Sequence, residues 1–94
     1  MRLLFVKAPD GKTRFAMAVG KKIAKAHSRN RGRRMLKESV RRLYPWIREG
    51  WWFALMLTDD GLNAKADEVY ADLGALLKKR GLMKNDWPGP VWYQ

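Results

Sequence analysis

Two short apolar stretches, separated by a polar turn segment, fill most of the first twenty residues. Arg2 to Ala8 is rich in leucine, aromatic and β-branched side chains, which predicts a strand, and Pro9-Asp10-Gly11-Lys12 carries the proline and glycine of a turn. From Thr13 to Gly20, Phe15, Met17 and Val19 alternate with Arg14, Ala16 and Ala18, so a returning strand is expected. Together the two segments predict a hairpin with one bulky and one smooth face. The period then changes. Gly32, Met35, Leu36, Ser39, Val40 and Leu43 recur at helical spacing, and Asn30, Arg33, Arg34, Lys37 and Arg41 form the opposite stripe. This predicts a helix over about Ala26 to Tyr44, stopped by Pro45. Gly32 lowers its helix propensity by about 1 kcal/mol relative to Ala, and a close approach to a neighbouring backbone would explain its presence.

Glu49-Gly50 leads into Trp51–Thr58, a run too short for most helices and apolar on both sides, which predicts a buried central strand. Asp59-Asp60-Gly61 reads as a turn and Asn63 as a helix cap. Ala66, Val69, Leu73, Leu76 and Leu77 line one face of a second helix ending near Gly81. Its acids, Asp67 and Glu68, stand in the first turn and its bases, Lys78, Lys79 and Arg80, in the last, as the helix macrodipole favours. The expected organisation is a single domain over residues 1–84, followed by an irregular aromatic and proline tail over 85–94.

Ninety-four residues leave room for one core, and 47% hydrophobic content is that of a folded chain. Cysteine is absent, which removes disulfides, thiolate zinc sites and thiol catalysis and fits a reducing, cytoplasmic setting. No apolar run is long enough to span a bilayer or form a signal peptide. Charge changes the picture most. The net charge is +11, and ten cations meet one acid, Glu38, between Lys21 and Arg42. Cations concentrated in one segment predict a surface for a polyanion, with counterion release as the driving term. Arginine-rich composition favours bidentate phosphate contacts.

The stretch Val19 to Glu38, VGKKIAKAHSRNRGRRMLKE, resembles the signature of the bacterial ribonuclease P protein subunit. In that family a strand ending in a Ser-Lys-Lys-like segment enters a helix with the pattern K-A-x-x-R-N-x-x-[RK]-R-x-x-[RK]-E. Lys21 and Lys22 match the strand end. Lys25, Ala26, Arg29, Asn30, Arg33, Arg34, Lys37 and Glu38 match the helix. Element order fits over about residues 2 to 80. The resemblance implies an α+β fold, a small sheet packed against helices as a ribosomal-protein-like two-layer sandwich with an unusual left-handed βαβ crossover. It also implies an N-terminal helix, one wall of a cleft for the precursor's 5′ leader, which this sequence begins too late to include.

By the same resemblance the chain is expected to be a subunit of an endoribonuclease ribonucleoprotein, a hydrolase that matures tRNA. Its partners would be the catalytic RNA and precursor tRNA, with no membrane involved. The RNA subunit would hold Mg2+ and cleave the phosphodiester, while the protein offers neither catalytic residues nor a metal site of its own. The expected RNA-binding residues are Lys21, Lys22, Lys25, Arg29, Asn30, Arg31, Arg33, Arg34, Lys37 and Arg41. Candidates for the leader cleft are Phe5, Ala16, Ala18, Arg29, Asn30 and Arg33. Phe5 reads equally as core or as a base-stacking ring, and Arg29 stands near the edge of the apolar stripe.

Other readings stay beside this one. A ribosomal or general structural RNA-binding protein would use the same helix without a processing role, and a membrane-surface protein fits poorly because the apolar stripe lacks aromatics. His27 is a polar helix-start residue or a phosphate contact, Asp59-Asp60 a turn, and Trp51, Trp52 and Phe53 core or rim packing. With no N-terminal helix, the hairpin face carrying Phe5, Ala16 and Ala18 would be open. Trp87, Trp92 and Tyr93 could cover it from the tail, the alternative being a loose terminus.

Overall fold

The computed structural model describes residues 1–19, 26–58 and 65–89. The positions Lys21, Lys22, Lys25, Asp59, Asp60, Asn63, Trp92 and Tyr93, and the His27 side chain, lie outside the described residues. The described elements run β1 (Arg2–Lys7), β2 (Arg14–Val19), α1 (Ala26–Leu43), a 3-10 turn (Tyr44–Trp46), β3 (Trp51–Leu57) and α2 (Ala66–Lys79). The molecule is α+β, a three-stranded sheet with both helices on one face. No described helix is long and apolar enough to cross a membrane.

Strand order corrects the hairpin expectation. β1 and β2 do not pair; the order is β1-β3-β2, with β3 antiparallel to β1 and parallel to β2. β3 is the most apolar of the three, and the centre gives it a partner on each side. The Ala8–Thr13 connection therefore spans two strand spacings, roughly 10 Å. It is tied to the start of β3, where the Ala8 N–H donates to the Gly50 carbonyl at 2.9 Å and the Gly50 N–H to Thr13 Oγ1 at 2.8 Å. Gly11 and Gly50 take positive φ angles of 71° and 86°, conformations that side-chain-bearing residues rarely adopt. Parallel pairing of β2 with β3 requires a crossover, and α1 is that crossover.

A second correction concerns β3. Phe53, Leu55 and Leu57 are buried beneath the helices, but Trp52, Ala54 and Met56 are exposed, so the central strand is covered on one side only. In α1 the stripe Gly32, Met35, Leu36, Ser39, Val40 and Leu43 is buried throughout. Ser39 is accommodated there because its hydroxyl donates to the Met35 carbonyl at 2.9 Å. α2 buries Val69, Tyr70, Leu73, Gly74 and Leu77. At its start the Lys65 N–H donates to the Glu68 carboxylate at 3.0 Å.

α2 ends in a Schellman turn, with the Leu82 N–H donating to the Leu77 carbonyl, the Gly81 N–H to Lys78, and Gly81 at φ 73°. The chain beyond it belongs to the body. Ile47 and Met83 form an antiparallel bridge, flanked by hydrogen bonds from Arg48 N–H to the Leu82 carbonyl and from Lys84 N–H to that of Trp46. Leu82, Met83 and Ile47 are buried in the core. Trp87 lies over α2, where a Cβ on Gly74 would meet its ring carbons at 2.8 and 2.9 Å. This ring of the tail therefore packs with the helix layer and not on the open sheet face. Gly74 is thus a close-approach glycine that the sequence pattern did not single out.

Candidate nucleic-acid interface

Helical periodicity gives α1 two chemically different sides. Because the apolar stripe is buried, Asn30, Arg34, Lys37 and Arg41 are exposed, with Arg33 half-buried beside them. Arg29 is half-buried on the same flank, one turn before Arg33, as its place beside the apolar stripe requires. Asn30 accepts a hydrogen bond at Oδ1 from Arg33 Nη1 at 3.0 Å, which orients both side chains. Arg31 is exposed on another side.

The single acid of this helix is not spare. Glu38 accepts two bonds from Arg41, at 2.9 and 2.6 Å, and one from Arg42 at 2.9 Å. These hydrogen bonds, Arg41's first, hold its carboxyl down at about 2. At neutral pH Glu38 thus offsets the charge at Arg41 and Arg42, and among the described residues no acid pairs with Arg34 or Lys37.

The open side of the sheet is a different surface. Register pairs Arg2 with Met56, Leu4 with Ala54 and Val6 with Trp52 across β1 and β3, and Arg14, Ala16 and Ala18 with Trp52, Ala54 and Met56 across β2 and β3. Leu4 and Val6 are 68% and 57% exposed, against 38% and 42% for Trp52 and Met56, an apolar strip that a small domain rarely leaves bare. Two shallow depressions of about 480 and 200 Å³ lie along it and share Leu4, Ala16 and Ala54. At one rim Arg14 is held by Asp10 at 3.1 Å. The Asp10 carboxyl is lowered first by the Lys12 N–H and then by Arg14.

The structure separates one set of candidates that the sequence grouped. Ala16 and Ala18 are on the open face, but Phe5 is in register with buried Phe53 on the helix side, in an edge contact with Trp51 at 5.7 Å. With β3 between β1 and β2, it is Leu4 and Val6 that share the face of Ala16 and Ala18, and Phe5, grouped with them by the family resemblance, packs on the helix side. Leu4, Val6, Trp52 and Met56 were missed, although strict alternation in β3 would have found the last two. Among the described residues no cluster of three or more His, Cys, Asp or Glu is placed to hold a metal ion.

Residues 1–81 match the family model for ribonuclease P. The chain is 32% identical over 74 residues to the ribonuclease P protein component of Symbiobacterium thermophilum, covering 79% of this chain and 64% of that protein. It is 36% identical over 72 residues to that of Oceanobacillus iheyensis, covering 77% and 60%. It thus spans about three fifths of the length of these curated relatives. Among solved structures, the fold is similar to the RNase P protein from Thermotoga maritima, with a TM-score of 0.73 at 26% identity over 82% of this chain and 74% of that one. The Staphylococcus aureus RNase P protein gives 0.76 at 16% identity over 87% and 75%, a likeness of fold. A family match across most of the chain, relatives above 30% identity and the same sheet-and-helix architecture agree: the chain belongs to the ribonuclease P protein component family.

Proposed function

We propose that this chain acts as the protein subunit of ribonuclease P, binding the catalytic RNA and precursor tRNA to promote endonucleolytic removal of the 5′ leader. The observation that carries this reading is the outward face of α1, where Asn30, Arg33, Arg34, Lys37 and Arg41 are gathered on a helix whose other side is locked in the core. Phosphates neutralise such a face and release counterions, and guanidinium groups give them paired donors. In this reading magnesium and bond cleavage belong to the RNA subunit, and the protein's residues bind and orient. Lys21, Lys22, Lys25, Arg29 and Arg31 extend the contact along the same segment. The open sheet face, with Leu4, Ala16, Ala18 and Trp52, offers apolar ground for the unpaired bases of the leader.

The test is cleavage of precursor tRNA by a bacterial ribonuclease P RNA at low magnesium, with and without this protein. Stimulated release of the 5′ leader, reduced by Arg29→Ala or Asn30→Ala more than by Lys79→Ala, is the expected result. RNA binding without stimulation would instead indicate a structural RNA-binding protein.

A further inference from the structure

A second cationic site lies away from the motif helix's outward face. Both helices run toward the same end of the molecule: α1 leads through the 3-10 turn into Ile47-Arg48, α2 through the Schellman turn into Leu82–Lys84, and these segments pair. There Arg48, Lys78 and Lys84 share the wall of a concavity of about 290 Å³ with Asn85, over an apolar floor of Met83 and Trp87. An 18-residue helix is roughly 27 Å long, so this wall is about 20 Å or more from Arg29 at the other end of the layer.

Three features make this more than a solvated patch. No carboxylate lines the concavity, and the two neighbouring acids in the chain, Glu49 and Asp86, are exposed and not on its wall. The described residues include no ion pair to Arg48, Lys78 or Lys84, unlike Arg14, Arg41 and Arg42. The carbonyls of Leu76, Leu77 and Lys78, which would otherwise draw cations at a helix C-terminus, already accept the N–H groups of Arg80, Leu82 and Gly81. Three like charges around one hollow repel each other, and a bound anion removes that repulsion. The hollow has room for a phosphate with its ribose, Asn85 provides an amide donor, and Met83 and Trp87 offer the sugar an apolar surface.

We propose that Arg48, Lys78, Lys84 and Asn85 form a second binding site for the phosphodiester backbone of the catalytic RNA. The proposal rests on the function proposed above and gives the protein a second anchor beyond the C-terminal ends of its two helices, apart from the outward face of α1. An RNA held at two separate surfaces fixes the orientation of the subunit more fully than one cationic helix face does alone.

The test uses the full chain and a bacterial ribonuclease P RNA. Arg48→Gln, Lys78→Gln and Lys84→Gln together are compared with Lys65→Gln, Lys79→Gln and Arg80→Gln, which remove the same charge from outside the wall. Circular dichroism establishes that both variants are folded. The wall variant is expected to bind about 10 to 30-fold more weakly at fixed salt and to reduce the slope of log K against log salt by about 2, the control losing less than about 3-fold. Equal losses in the two variants overturn the site while leaving the function intact; absence of binding by the unmodified chain overturns both. Acylation of Lys78 and Lys84 is measured in parallel, to distinguish RNA from a small anion. Protection by the RNA but not by inorganic phosphate at matched phosphate concentration is expected, and protection by inorganic phosphate alone would overturn the RNA assignment. If the substituted wall prevents folding, this measurement on the unmodified chain still decides the question.

Discussion

The two helices cover the same face of the sheet and bury similar stripes, yet their outer surfaces obey opposite rules. α2 carries Asp67 and Glu68 in its first turn and Lys78 and Lys79 in its last, an arrangement that stabilises any helix through its dipole. α1 has no acid in its first turn and places Arg29, Arg33 and Lys37 at successive four-residue steps. Like charges at that spacing cost a few tenths of a kcal/mol per pair. α2's charges are thus explained by the helix itself. Arg29, Arg33 and Lys37 of α1 instead repel one another along their own helix, and a bound polyanion would relieve that repulsion. The inner stripes supply the stability that lets α1 bear this cost.

If the inner faces are equivalent, Leu36→Ala in α1 and Leu73→Ala in α2, both fully buried, should be similarly damaging. A loss of about 2 to 5 kcal/mol each is expected from urea unfolding. A loss below about 1 kcal/mol at either position would show that one helix is not a full partner in the core.

The outer faces should separate next. Changing Arg33, Arg34, Lys37 and Arg41 together to Gln should weaken binding to the catalytic RNA about 100-fold and lower the salt slope by roughly 3 to 4. Thermal stability should be unchanged or slightly raised. Changing Asp67 and Asp72 to Asn on α2 should leave the RNA slope within about 1 of the original and lower stability modestly, measured by the same salt titration and thermal melts.

Within α2, Gly74 and Trp87 sharpen the contrast. Gly74→Ala alone should destabilise by about 1 kcal/mol, because the Trp87 ring must move, even though alanine is the better helix former. In a Trp87→Ala background the same change should stabilise by about 0.5 to 1 kcal/mol. A double-mutant cycle with no coupling would show that the ring does not rest on this helix.

Glu38→Gln is the smallest test. The native carboxyl is held at about 2, below its ordinary 4.5, so it contributes stability present above pH 4.5 and lost as pH falls toward 2. The Gln variant should lack that acid-limb loss in a pH series of melts. With Arg41 and Arg42 released, it should also bind RNA about 2 to 3-fold more tightly. Weaker binding would mean that Glu38 positions these arginines for contact.

Legibility followed the range of the interaction. The α1 stripe from Gly32 to Leu43 and the cations opposite it were readable because helical spacing places residues on faces through bonds local to the helix. The end of α2 at Gly81 was readable for the same reason: the turn needs a residue tolerant of positive φ. The strand partners were not, since the turn signal at Pro9–Lys12 is equally compatible with a hairpin and with a connection that steps around a third strand. That one ambiguity concealed β3 between the two strands, and with it Leu4 and Val6 as open-face residues of β1.

By itself the sequence determined the elements, the faces of the helices, the location of the charge and the family motif, since each depends on residues within a few turns of one another. Only the tertiary structure decided that β3 separates β1 and β2, that one side of the sheet is bare, that Trp87 rests on Gly74, and that Arg48, Lys78 and Lys84 meet around one hollow. Those outcomes follow from competition among distant apolar segments for the centre of the sheet and for the space over the helices. No local spacing encodes which of them wins.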